Sequence, residues 1–252
     1  MKKSLLFLFI FIALQAAVGL ISGLFTKELL IPTIIINAII VVLFLAMRWY
    51  EVDRRYIQSR PWLAIIWTVL LSIGIILPMA YLEEQIPESW RPDVAGEAIF
   101  QLLKSPEGYF AVCLLAPLAE EIVFRGAIIT ALRKCQLSIV SCIIISSLFF
   151  AAIHFNPAQM PHAFIMGLLL GWLFVRTDSI LLCFLVHWIN NSFAYVMVKL
   201  FPSLPMDAPL ADYFGGSQMA VAQAILCSLM IAIPSLYQLN RILKKTTKPL
   251  ND

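Results

Sequence analysis

The chain has 252 residues, is 61% hydrophobic and only 13% charged, and has a mean hydropathy of +0.89. Soluble domains run near half apolar and a quarter charged. Long apolar blocks with short polar breaks exclude a water-soluble enzyme and predict an all-α polytopic helix bundle, one membrane domain over 1–252. The net charge of +3 matters through its distribution rather than its sum, and no nucleic-acid partner is expected. The five cysteines show no paired spacing and read as small apolar packing residues.

A helix needs about 20 apolar residues to cross the hydrocarbon layer, because all of its backbone polar groups must be satisfied internally. Eight segments qualify: 5–25, 29–47, 61–82, 109–132, 137–155, 162–175, 179–199 and 219–239. The sixth is short. The first follows Lys2 and Lys3 but continues past Gly19 without a small-residue cleavage site, so it reads as a retained helix rather than a signal peptide.

Eight crossings put both termini on one side, and the basic residues agree. Lys2, Lys3, Arg48, Arg54, Arg55, Arg60, Arg133, Lys134, Arg176, Arg241, Lys244, Lys245 and Lys248 fall in one set of loops, thirteen of the 18 Lys and Arg. The opposite loops mix Lys27, Arg91, Lys104 and Lys199 with many acids, among them Glu28, Glu83, Glu84, Glu88, Asp93, Glu97, Glu107, Asp207 and Asp212. The positive-inside rule then places both termini in the cytoplasm, in a bacterial cytoplasmic (inner) membrane. The longest loop, 83–108, contains an amphipathic stretch over 94–103 suited to the membrane surface. No internal repeat is evident, which weakens a transporter built from duplicated halves.

Subtracting the loops leaves Glu120, Glu121, Arg125, His154 and His187 at membrane depth, with His162 at a boundary. Each ionisable group there costs several kcal/mol, roughly 2.5–3.5 on insertion scales, so it normally faces the bundle interior and serves a function. The structural alternative is a polar cluster that pairs helices. At about 100° per residue, Glu120 and Glu121 point in different directions, whereas Glu121 and Arg125 lie only about 40° apart and form a natural i,i+4 ion pair. Glu120 is left as the candidate general base for water. Phe150 and His154 share a face of the fifth segment. His187 and Asn191, one turn apart on the seventh, present a ring nitrogen and an amide to one point, as an oxyanion requires. His162 has no comparable partner at a helical spacing and is the weakest candidate.

The EExxxR run (Glu120, Glu121, Arg125), the FxxxH run (Phe150, His154) and the HxxxN run (His187, Asn191), in this order on separate membrane segments, resemble the CPBP family of intramembrane proteases. That family includes type II CAAX prenyl endopeptidases and bacterial Abi proteins linked to bacteriocin processing and self-immunity. The resemblance runs from about Leu118 to Asn191, inside a core of 109–199, and includes Phe124, Gly126, Ser147, Gly171, Trp172, Arg176 and Thr177. It implies that Glu120 and His154 position and activate a water, with His187 and Asn191 stabilising the oxyanion, while Arg125 and Phe150 orient the site.

Two histidines and one or two carboxylates have the chemistry of a zinc shell, although no HExxH is present. A divalent metal such as zinc, if bound, would take Glu120, His154 and His187. The expected activity is endopeptidase cleavage of a membrane-associated protein or peptide, with the lipid bilayer as the other partner. The competing readings are a non-catalytic immunity or partner-binding protein on the same scaffold, and an ion-coupled carrier. Neither requires a full set of oxyanion donors.

Overall fold

The computed structural model describes residues 1–25, 29–52, 54–90, 92, 96–205 and 208–243. Lys27, Glu28, Arg91, Asp93, Asp207, Lys244, Lys245 and Lys248, used above to read the topology, lie outside them. Helices follow one another along the chain: α1 (Lys2–Phe25), α2 (Leu30–Ala46), α3 (Arg54–Gln58), α4 (Trp62–Glu84), a 3₁₀ turn (Glu88–Trp90) and α5 (Gly96–Leu103). A composite helix then runs through α6 (Pro106–Tyr109), a π segment (Phe110–Leu115), α7 (Ala116–Glu120), a second π segment (Glu121–Ile129) and α8 (Thr130–Arg133). The chain continues through α9 (Ile139–Ala152), α10 (Met160–Thr177), α11 (Leu181–Leu200), α12 (Leu210–Tyr213) and α13 (Gln218–Ile242). No strand occurs among the described residues, and the all-α membrane class holds.

Four helices, α4, α10, α11 and α13, have the length and hydropathy of a membrane span, while α2 and α9 are apolar but shorter. The eight expected segments all appear as helix, and among the described residues these four qualify as spans on length and composition. Two expectations shift. The sixth segment is not short, since α10 occupies 18 residues. The amphipathic stretch in the long loop forms α5 but is tucked into protein, with Leu103 packed on Cys113 and Val198 and flanked by Ile99, Phe100 and Trp188.

The second π segment is the centre of the bundle, and all nine of its residues are buried. α1, α2, α9 and α10 pack around it. An aromatic ladder ties these layers: Phe11 of α1 meets Phe124 edge-on at 5.4 Å, and Phe124 meets Phe150 of α9 at the same distance. Each such pair contributes about 0.5–1.5 kcal/mol beyond its buried area. Ser146 of α9 donates to the Phe124 carbonyl at 3.0 Å, satisfying a polar group where water is scarce. On the far side α4 runs against α13, where Gly74 lets the backbones touch: a Cβ there would lie 2.7 Å from the Ala232 nitrogen. Small residues at crossings are how lipid-embedded helices gain dispersion contacts.

Candidate active site

The composite helix delivers Glu120 and Glu121 at the junction of α7 and the second π segment. Short π stretches widen a helix locally and recur at functional sites. The i,i+4 pairing expected from spacing survives this widening: Arg125 Nη1 donates to Glu121 Oε1 at 3.0 Å, and both side chains are buried. The guanidinium is held on two further sides. Its Nη2 donates to the Gly167 carbonyl of α10 at 3.4 Å, and its plane lies over the Phe150 ring at 4.3 Å. Gly167 also lets α10 lie close against α9, since a Cβ there would collide with Ser147, 2.8 Å from its Cβ and 3.0 Å from its Cα.

The adjacent carboxylates meet on one imidazole. His187 of α11, also buried, places Nδ1 2.9 Å from Glu121 Oε1 and Nε2 3.7 Å from Glu120 Oε2. Glu121 thus receives hydrogen bonds from Arg125 and His187 on its Oε1, while the buried Oε2 atoms of both glutamates make none. Glu120 is slightly open, at 15% side-chain exposure against 0% for Glu121. This is the asymmetry a paired, orienting carboxylate and a more loosely held, reactive one would show.

His154 lies just past the end of α9, with Nδ1 2.8 Å from the Phe150 carbonyl. A carbonyl only accepts, so Nδ1 carries the proton, and in the neutral ring the lone pair sits on Nε2. His154 is within electrostatic reach of Glu120, His187 and His162. Phe150 stands between the histidines, edge-on to His154 at 5.0 Å and to His187 at 5.6 Å. The structure therefore gathers Glu120, Glu121, Arg125, Phe150, His154 and His187 into one cluster.

Asn191 is one turn beyond His187 and has a contact that its sequence does not suggest. Its Nδ2 donates to the Val112 carbonyl at 3.0 Å, while Cys113 Sγ donates to the Asn191 carbonyl at 3.3 Å. One amide hydrogen is therefore committed to tying α11 to the first π segment, and the amide oxygen accepts from Asn190 Nδ2 at 3.3 Å. Nearby, Trp188 Nε1 donates to the Tyr109 hydroxyl at 2.9 Å, and that hydroxyl sits 3.1 Å from Ser192 Oγ. His162, for which spacing offers no partner, pairs through Nδ1 with Glu83 at the end of α4, a residue counted above among the loop acids. Glu83, Gly167 and Val112 are the site neighbours that sequence reasoning missed, because each comes from a different helix and none belongs to a motif.

Among the described residues no three His, Cys, Asp or Glu side chains converge closely enough to hold a metal ion. Glu120, His154 and His187, the residues named for a metal if one were bound, are not assembled into a shell in this geometry.

Residues 104–193 match the family model described as type II CAAX prenyl endopeptidase Rce1-like. All three motifs lie inside that span. The chain is also similar to the membrane-embedded CAAX protease MroQ of Staphylococcus aureus (strain USA300), with 25% identity over 151 residues. That alignment takes in 56% of this chain and 59% of the length of the relative. No solved structure matches. The resemblance to CPBP-family proteases drawn from the motifs is borne out over the segment that carries them.

Proposed function

We propose that this protein is an intramembrane endopeptidase that hydrolyses a peptide bond of a membrane-associated protein or peptide with a water activated by Glu120. The observation that carries the reading is the His187 ring held between two unequal carboxylates, Glu121 locked by Arg125 and Glu120 more loosely held and more open. Glu121 is fixed by close contacts to Arg125 and His187, whereas Glu120 reaches only His187, at 3.7 Å, and is the more open of the two, which suits the carboxylate that must meet water.

In the proposed reaction, Glu120 accepts a proton from water while the lone pair of His154 Nε2 orients it. The resulting hydroxide adds to the scissile carbonyl. His187, anchored through Nδ1 on Glu121, turns Nε2 toward the oxyanion as one donor, and the second hydrogen of Asn191 Nδ2 is the other. Glu120 then returns its proton to the departing amine, so the carboxylate ends as it began. Arg125 holds Glu121 in place, and Phe150 fixes the spacing of Arg125 and the two imidazoles. The core over 109–199 carries every group in this scheme, and the remaining helices enclose it.

The printed name of the relative, a CAAX protease, supports a membrane-anchored substrate; the motifs set no requirement for a prenyl group. The test compares protein N- and C-termini in membranes of cells that make the wild-type chain and cells that make Glu120→Gln. New termini present only with the wild-type chain would support the reading and name the substrate; identical termini in both would defeat it. The distribution of basic residues supports a chain in the bacterial cytoplasmic membrane with both termini inside. Reporters fused within 50–58 and after residue 252 should read cytoplasmic, and one within 84–95 external; a cytoplasmic signal from the last would overturn this orientation.

A further inference from the structure

The end of α6 grips α11 beside the two oxyanion donors, through contacts that the proposed reaction does not use. Tyr109 is the last residue of α6, and Trp188 and Ser192 of α11 both reach its hydroxyl. An indole N–H only donates, so the Tyr109 oxygen accepts it at 2.9 Å, and the same oxygen shares a second hydrogen bond with Ser192 Oγ at 3.1 Å. The Tyr109 ring meets Tyr195 edge-on at 4.9 Å, and Trp188 stacks on Phe184 at 6.4 Å.

Trp188 and Ser192 are one turn apart, and each follows a donor, His187 or Asn191, by one residue. The strip of α11 that Tyr109 grips therefore lies about 100° around the helix from the strip that carries the donors. A grip at that angle fixes the rotation of α11 about its own axis. The Asn191 side chain is tied to the same stretch of chain, since it donates to the Val112 carbonyl. Side-chain tips ride about 5–6 Å from a helix axis, so a rotation of about 10° moves them by about 1 Å. A misplacement of that size costs on the order of a hundredfold in rate.

We propose that Tyr109 is a positioning residue, whose hydroxyl sets the rotation of α11 that aims His187 Nε2 and Asn191 Nδ2 at the oxyanion. The inference rests on the reaction proposed above, and it gives Tyr109 no contact with the substrate or the attacking water.

A double-mutant cycle separates this role from helix packing. Tyr109→Phe removes the hydroxyl and keeps the ring against Tyr195; Trp188→Phe removes the indole donor and keeps a ring against Phe184. Each is made alone and with Asn191→Ala in the full chain. kcat and KM are measured on a quenched fluorescent peptide carrying the cleavage site found in the terminal-peptide comparison, and melting temperatures are recorded alongside.

Tyr109→Phe should lower kcat about tenfold with KM within about twofold, and by no more than about threefold when Asn191 is already alanine, because a missing donor cannot be misaimed. Trp188→Phe should follow the same pattern, and it carries the test if Tyr109→Phe does not fold. A wild-type kcat with a lowered melting temperature, or the same fold-loss in both backgrounds, would overturn the positioning role and leave the reaction scheme standing. Wild-type kcat in Asn191→Ala alone would instead defeat the oxyanion assignment, and the positioning role with it. A comparison that yields no cleaved substrate would defeat the peptidase reading and this inference together.

Discussion

The second π segment and α13 are both apolar enough to belong in a membrane, yet the structure uses them in opposite ways. Every residue of Glu121–Ile129 is buried in protein. In α13 only 17% of the membrane-length window is buried, and Met219, Leu226, Met230 and Ile233 stand outward. Lipid tails are as apolar as leucine, so the hydrophobic effect does not decide which helix lies inside. The distinction comes from polar groups: Glu121 and Arg125 must be satisfied by protein, and the segment that carries them is drawn to the centre where His187, Gly167 and Phe150 can reach them.

The sharpest way to break this comparison is to strip one partner from the buried pair. Glu121→Gln leaves Arg125 charged in the interior, which costs about 3–5 kcal/mol. Its melting temperature after detergent extraction should fall steeply, even though the new amide oxygen still accepts from His187. An unchanged melt would mean that the pair does not anchor the segment.

A smaller loss is expected at Asn191, where two roles separate by magnitude. Removing its bond to Val112 should cost about 0.6 kcal/mol, typical of polar contacts between membrane helices. Removing an oxyanion donor raises the barrier by about 2.7–4 kcal/mol. Asn191→Ala should therefore lower kcat on the order of a hundredfold at nearly constant KM with only a slight drop in stability, whereas Asn190→Ala, which removes only the bond to Asn191 Oδ1, should lower kcat far less. If the two variants are equally active, Asn191 only ties α11 to the first π segment.

The smallest effects compare packing inside with packing against lipid. Gly167→Ala must push Ser147 away and should destabilise by about 1–3 kcal/mol. Leu226→Ala on α13, at 61% exposure, should stay within about 0.5 kcal/mol. Comparable melting shifts for both would put α13 inside an interface rather than against lipid.

The sequence made the chemistry of the site legible because ionisable residues are so rare at membrane depth: Glu120, Glu121, Arg125, His154 and His187 stand out by cost alone, and their order matches a known family. It also made the helical segments legible, since apolar length is a direct physical requirement. What stayed hidden depends on geometry that a regular period does not carry. Reading 121–129 as an ordinary α-helix kept the Glu121–Arg125 pair but separated Glu120 from it, whereas the structure sets both carboxylates against opposite nitrogens of His187. The partners Glu83, Gly167 and Val112 come from three other helices, and α5 finds its cover in α11, a contact between segments nearly a hundred residues apart.

The central claim is the division of labour between the adjacent glutamates, and Glu120→Gln tests it most directly. The substitution keeps the shape of the side chain and removes the base. Measured on a substrate identified from the terminal-peptide comparison, kcat should fall by roughly 10²–10⁴, with a melting temperature equal to that of the wild-type protein. Wild-type turnover by Glu120→Gln, or a collapse in its stability like that expected of Glu121→Gln, would contradict the account.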